Sequence, residues 1–458
     1  MRQVGNWPVK EILDATKGTL LSGQPEMIFT GITDDTRMLK PNDLFIALKG
    51  KRYDGHIFIP EAIKKGALGI ILKNNYDFNL PQNIAVIAVE DTLKALGDLA
   101  HYQRKKFNFP FITITGSSGK TTTKEAIAHV LAQQFRVLKT KENYNNQIGV
   151  PFTLLGLTSF YNAACIELGT NSLGEIDYLS RITQPDIGVI TSIQPAHLEG
   201  LKSLKEIQKE KGSMLKYVNE CFVYNCDDKR VAELANDFTK KKIAFGFRAG
   251  EIRAKDIKIS KNTLHFTLIL PENSLYIKSQ LIGQHQIYAL LAAAAIGWYF
   301  KLSPFIIQQA LESFLPLSNR LSLYMTLHGF YLLDDTYNAN PGSMKAALET
   351  LKQFNGRIAV LGDMLELGEE TSFWHKELGK WAANTGLKAL ILFGEYAPLI
   401  KEGAIEAGMN EKKIYLTTKK EDIIEIIHNI AAKYDVVLFK ASRKIQFEKL
   451  IETLKRKK

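Results

Sequence analysis

Fifteen residues, FITITGSSGKTTTKE from Phe111 to Glu125, constrain this chain more than any other stretch. The apolar, β-branched run Phe111 to Thr115 predicts a buried strand. The small-residue run GSSGKTT (116–122) predicts a loop that opens a helix at Lys120. Gly116 and Gly119 let the backbone curl so that its N–H groups converge on phosphate oxygens, with Ser117, Ser118 and Thr122 completing the loop. The helix start adds the positive end of its dipole. Lys120 can reach the outer phosphates of a nucleotide, and the Thr121 hydroxyl can ligate Mg²⁺. The spacing is shorter than the usual phosphate-loop pattern. Ile127, Val130, Leu131 and Phe135 continue at helical spacing, which argues against a bare Gly/Ser turn.

Such a loop belongs to a parallel sheet, and the rest of the chain reads as three α/β units. Residues 1–105 form a small unit with strands near Phe29–Arg37, Leu44–Leu48 and Gly66–Leu72, a short helix from Ile59 to Lys65, and polar Thr36, Arg37, Asp54 and His56 in the connections. Residues 106–316 carry the phosphate loop. After its helix comes TKENYNNQIGVP (140–151), whose Asn143, Asn145 and Asn146 suit a sugar or peptide ligand and are equally common turn formers. Strands Ala163–Leu168 and Ile187–Ile193 end near Glu167 and His197. Strand C-terminal ends collect ligand chemistry in an open α/β sheet, so both are candidate metal ligands, though a structural hydrogen-bonding role fits each as well. Ser203 to Val218 reads as a charged helix containing Lys209 and Lys211, Glu251 to Ile282 as antiparallel strands, and Gln284 to Phe300 as a buried Ala-rich helix.

Residues 317–458 alternate strand and helix, with strands at Tyr331–Asp335, Ile358–Gly362, Ala389–Gly394, Ile414–Thr417 and Asp435–Ala441, and helices such as Ser343–Phe354 and Glu421–Lys433. That pattern predicts a mainly parallel, doubly wound sheet without a glycine-rich dinucleotide fingerprint. Polar clusters follow three of its strands: Asp334 to Pro341, Gly362 to Met364, and Lys440 to Arg443.

The net charge of +11 raises nucleic-acid binding. The basic residues are interleaved with acids apart from the KRKK tail, and no recognition helix or aromatic RNA-binding motif accompanies them, so a solvated basic surface suited to polyanionic small molecules is the better reading. Three cysteines without zinc spacing fit a reducing cytosol. The N-terminus lacks an apolar signal core, and the apolar run near Ile287–Phe300 is too short to span a bilayer. We therefore expect a cytoplasmic chain with no integral membrane segment.

Taken together, TGSSGKTTTKE, NYNNQIGVP, ELGTNSLGEI (167–176), AHLEGLKSLKEIQKEKG (196–212), DDTYNANPGSM (334–344) and LGDMLELG (361–368) resemble the Mur ligases of peptidoglycan synthesis over essentially the whole chain. The resemblance is nearest the member that joins D-alanyl-D-alanine to UDP-N-acetylmuramoyl-tripeptide. The Asp-Asn-Pro-Arg motif of the sister ligase that adds the third residue is absent. The resemblance implies a three-domain fold with a central ATPase-like phosphate-loop domain and a C-terminal Rossmann-like domain; we expect a monomer. It implies ATP and Mg²⁺, with phosphorylation of the tripeptide carboxylate before the dipeptide amine attacks.

By resemblance, Lys120 meets the β/γ-phosphates, and Thr121 holds one Mg²⁺. Glu167, His197 and a carbamylated Lys211 hold a second. His285, Arg320 and Asp335 contact ATP, Thr36 and Arg37 the UDP end, and Tyr337, Asn338, Asn340, Ser442 and Arg443 the peptide end. The chain departs from the family pattern at Gln286 and Ala289, where Asn is usual, and at Ser192, Ala441 and Glu142. Another ligase of the superfamily, such as a folylpolyglutamate synthetase, and a noncatalytic nucleotide-binding regulator are the alternatives. Intact Glu167 and His197 speak against the regulator.

Overall fold

The computed structural model describes residues 1–50, 53–76, 83–260 and 263–455, so the last three residues of the basic tail lie outside it. Among the described residues, twenty-one strands form three sheets. The first holds β1 (Arg2–Pro8), β2 (Thr19–Ser22), β3 (Ile28–Thr33), β4 (Asp43–Ile46), β5 (Gly69–Lys73) and β6 (Ala85–Val89) in the order β1-β3-β4-β5-β6-β2. Its four central strands are parallel, and both edges are antiparallel.

The second sheet holds β7 (Phe111–Thr115), β8 (Val137–Lys139), β9 (Ala163–Glu167), β10 (Ile187–Ile190), β11 (Cys221–Asn225), β12 (Lys241–Gly246), β13 (Ile252–Ser260), β14 (Thr263–Leu270) and β15 (Asn273–Ser279). Its order is β15-β14-β13-β12-β11-β10-β7-β9-β8. The strand feeding the phosphate loop, β7, therefore lies between β10 and β9, with every residue buried. The antiparallel reading of 251–282 holds for β13, β14 and β15. The helices Lys120–Leu131 and Ile287–Tyr299 pack together on one face of this sheet. Four successive alanines, Ala292 to Ala295, are fully buried there, and their small side chains permit close approach.

The third sheet holds β16 (Ser322–Met325), β17 (Tyr331–Asp334), β18 (Arg357–Gly362), β19 (Ala389–Phe393), β20 (Ile414–Thr417) and β21 (Val436–Lys440), in the order β16-β17-β21-β18-β19-β20. It is parallel apart from the antiparallel edge strand β16, which agrees with the doubly wound expectation.

Several elements are shorter than the sequence suggests, among them the helix Lys420–Ile430 and two elements near the phosphate loop. β10 ends at Ile190, not Ile193, because the next residues turn their hydrogen bonds onto the phosphate loop: Ser117 N–H donates to the Ser192 carbonyl at 2.8 Å. The charged helix is Leu204–Gly212, followed by a 3-10 turn over Ser213–Lys216. Among the described residues no helix is long and apolar enough to cross a membrane.

Candidate functional site

A cavity of about 540 Å³ lies where the second and third units meet. The phosphate loop forms its floor. Gly116 has φ +150°, and a Cβ there would sit 1.9 Å from Thr191 Oγ1; Gly119 has φ +79° and open space beside it. One glycine is required by close packing, the other by backbone conformation. Thr191 Oγ1 donates to the Ser118 carbonyl at 2.6 Å, Ser118 N–H donates to Ser192 Oγ at 3.2 Å, and Ser117 Oγ donates to the Gln194 carbonyl at 2.8 Å. The loop is thereby clamped to the segment that continues β10, and Ser192 serves as a clamp where the family pattern has Asn.

Lys120 Nζ folds back to the Gly116 carbonyl at 2.7 Å. Its pKa is lowered, chiefly by burial and further by Arg320, with Glu167 opposing. Arg320 crosses from the third unit: its Nη2 donates to Thr121 Oγ1 at 2.9 Å, and its guanidinium lies 3.9 Å from the centre of the Tyr337 ring. A second crossing pairs Asn340 Nδ2 with Ser118 Oγ at 3.2 Å. Asn340 also caps the helix Pro341–Leu351 in a capping box with Ser343.

Glu167 is buried. Its Oε1 accepts from Asn145 Nδ2 at 2.8 Å, and its Oε2 is buried with no hydrogen-bond partner. A buried orphan carboxylate oxygen beside a phosphate loop fits a hard cation. His197 borders the same cavity, at left-handed φ 53°. Among the described residues no group of three or more His, Cys, Asp and Glu side chains could hold a metal ion, so a cation here would draw further ligands from nucleotide phosphates, water or a modified side chain. Lys211 does not line the cavity. It is buried, its ammonium is held well below the ordinary lysine range by burial first and by Lys120 second, and Glu210 opposes. Glu210 is itself engaged by the N–H groups of Gly174 (2.7 Å) and Ile176 (2.8 Å).

The remaining expectations divide. Asn143, Asn145, Asn146, His285, Asp335, Tyr337, Asn338 and Asn340 all border the cavity. Asn146 Oδ1 accepts from Gly149 N–H at 2.8 Å, where a helix begins, so its side chain is at least a turn former. His285 is exposed on the cavity wall, where the surrounding protein lowers its pKa to about 4 by desolvation, opposed by Asp335. Asp335 pairs with buried Lys440 at 2.5 Å. Ser442 and Arg443 stand behind this wall: Ser442 Oγ accepts from Leu365 N–H at 2.8 Å, and Arg443 N–H donates to Asn338 Oδ1 at 3.3 Å. Thr36 and Arg37 lie in the first unit, away from the cavity, with Arg37 bound to Asp35.

Residues missed from sequence include Asp227, Asp228 and Tyr288. Tyr288 donates to Asp227 Oδ2 at 3.0 Å and stacks on Phe247, and Asp228 accepts from Ile193 N–H at 2.8 Å. The available signal was position, since both acids follow the C-terminal end of β11.

Comparison with known proteins gives three family matches: the Mur ligase family, catalytic domain, over residues 28–104; the Mur ligase middle domain over 114–297; and the Mur ligase, glutamate ligase domain over 319–443. A curated UDP-N-acetylmuramoyl-tripeptide--D-alanyl-D-alanine ligase from Bacillus subtilis is 36% identical over 97% of this chain and 98% of its own length. A crystal structure of MurF from Acinetobacter baumannii superposes with TM-score 0.91 at 30% identity, covering 99% of this chain and 100% of that one. MurF from Thermotoga maritima, solved in complex with ADP, gives 0.84 at 28% identity, covering 93% and 96%.

Proposed function

Because the chain belongs to the Mur ligase family, we infer that it is an ATP-dependent ligase joining D-alanyl-D-alanine to UDP-N-acetylmuramoyl-tripeptide in peptidoglycan synthesis. The carrying observation is a cavity built from both units, with a phosphate loop on one wall and Arg320, Asp335 and Tyr337 on the other. The amine's identity comes from the relatives named above.

A carboxylate is a poor electrophile. One oxygen of the tripeptide carboxylate attacks the γ-phosphorus of ATP, and ADP leaves. The dipeptide amine then attacks the acyl carbon, phosphate leaves, and one proton is lost from nitrogen. Catalysis of such transfers is mostly positioning and charge neutralisation. In this reading the loop N–H groups and Lys120 hold the β/γ-phosphates, and Arg320 reaches the transferring group from the opposite wall, exchanging its present bond to Thr121. Asp335 and His285 hold the rest of ATP. Mg²⁺ is the implied cation. Glu167 and His197 would hold it, joined by Lys211 as a carbamate, with Thr121 available to a second ion; it would neutralise charge on phosphoryl and acyl oxygens.

Burial supports the Lys211 assignment, because the neutral amine that burial favours is the form that adds CO₂. Thr36 and Arg37 would take the UDP end. Asn143, Asn145 and Asn146, with Tyr337, Asn338 and Asn340, would line the peptide path, supported from behind by Ser442 and Arg443. We further propose unit boundaries near 105 and 316, a cytoplasmic monomer, and no nucleic-acid partner. Three cysteines without a disulfide support the cytoplasmic reading, and a cavity completed within one chain supports the monomer.

The test is ADP release measured across acceptor pairs. UDP-N-acetylmuramoyl-tripeptide with D-alanyl-D-alanine should be productive. Turnover only with the corresponding dipeptide precursor and lysine or diaminopimelate, or only with folate and glutamate, would reassign the substrate.

A further inference from the structure

A carboxylate outside the cavity meets His197, one of its proposed cation ligands. Glu366 belongs to the segment between β18 and the 3-10 turn Gly368–Glu370 of the third unit. That segment is fastened from behind. Asp363 accepts the N–H groups of Glu395 (2.9 Å) and Tyr396 (3.0 Å), Met364 N–H donates to His375 Nε2 at 3.0 Å, and Leu365 N–H donates to Ser442 Oγ. Met364 and Leu367 are buried. Across the seam, His197 precedes the short helix Leu198–Leu201 of the second unit. The two backbones are joined by Glu199 N–H donating to the Glu366 carbonyl at 3.1 Å. At Gly368, φ +58°, a Cβ would stand 3.3 Å from Glu199 Cα, so backbone approaches backbone closely.

Within this frame Glu366 Oε2 lies 2.5 Å from His197 Nδ1. Both residues have left-handed backbone, φ 64° and 53°, a conformation that is strained for a non-glycine residue and persists where surroundings enforce it. An ionised carboxylate only accepts, so the shared proton sits on Nδ1. Among the described residues no hydrogen bond engages Nε2. Glu366 is half exposed, so the pair adds little to stability; its consequence is orientation.

We propose that Glu366 is a positioning residue that holds His197 in the Nδ1–H tautomer and so leaves the Nε2 lone pair for a divalent cation in the cavity. A ligating imidazole is commonly oriented by a carboxylate on its other nitrogen. Here that carboxylate arrives from the other unit, so His197 acquires its oriented form only when the third unit is seated against the second. The proposal rests on reading His197 as a cation ligand.

The experiment uses the full chain with ¹⁵N-labelled histidine at roughly pH 8, above the ordinary imidazole range. His197→Gln identifies the His197 signals. Glu366→Leu and Glu366→Gln are compared with wild type for the His197 tautomer, for Mn²⁺ binding in the presence of ADP by electron paramagnetic resonance, and for thermal melting. Wild type should show protonated Nδ1. Glu366→Leu should lose that preference and bind Mn²⁺ about 10- to 100-fold more weakly. Glu366→Gln, which keeps an acceptor oxygen, should recover part of both, and the melting profiles should stay close to wild type. A wild-type tautomer in Glu366→Leu overturns the proposal, as does a lost tautomer with unchanged Mn²⁺ affinity. Failure of the D-alanyl-D-alanine assay with the tautomer and Mn²⁺ results intact would remove the substrate reading alone.

Discussion

Lys120 and Lys211 show how burial divides two cations that carry the same side chain. Lys120 bends over its own loop and faces the cavity, so Lys120→Ala should leave the fold unchanged and lower turnover by at least about 10²-fold. Wild-type ADP release from a folded variant would refute the phosphate-loop assignment. Lys211 is buried beside Lys120, where a second ammonium is repelled and a carbamate is not. Lys211→Ala should lose roughly 10- to 100-fold in activity. Short-chain carboxylates should restore part of it, while exposed Lys209→Ala stays near wild type. Full activity in Lys211→Ala, or loss only in Lys209→Ala, would move the anionic role elsewhere.

At the level of elements, the helix Pro341–Leu351 tests whether Asn340 serves the fold or the ligand. Its side chain accepts from Ser343 N–H at 2.8 Å and donates to Ser118 across the seam. Asn340→Ala should cost about 1 kcal/mol in denaturant unfolding, whereas Asn340→Asp, which still caps, should not. Equal losses would mean that the Ser118 contact matters more than the cap. β7, the glycine loop and the strand–helix alternation of the third unit were legible in the sequence, because each depends on neighbours within a few residues; the Asn340 cap was not read there, and the helix was expected to begin at Ser343 and not at Pro341. β1 was not. RQVGNWP carries Gly and Pro, and its strand exists only through antiparallel pairing with β3 and the Arg2–Asp43 ion pair. The Asp227–Tyr288 bond, the reach of Arg320 and the Glu366–His197 pair were equally hidden, since each joins segments far apart in the chain. For Ser192 the sequence marked a departure from the family, but only the fold shows the serine clamping the loop.

For the whole molecule, a net charge of +11 and substrates dense in phosphate predict attraction at a distance. Raising ionic strength from roughly 0.01 M to roughly 0.1 M shrinks the Debye length from about 30 Å to about 10 Å. kcat/KM for the UDP-linked substrate should fall over that range more than kcat does. An unchanged ratio would show that the basic residues are too dispersed to steer. The connection between the second and third units is short, running from the helix ending at Ser313 to β16 at Ser322, and Arg320 sits on it between two left-handed residues, Asn319 and Leu321. A turn of the third unit about this connection would carry Glu366 away from His197 and undo the orientation that the pair provides. With the jaws parted, the imidazole would keep its place on the second unit and lose its orientation.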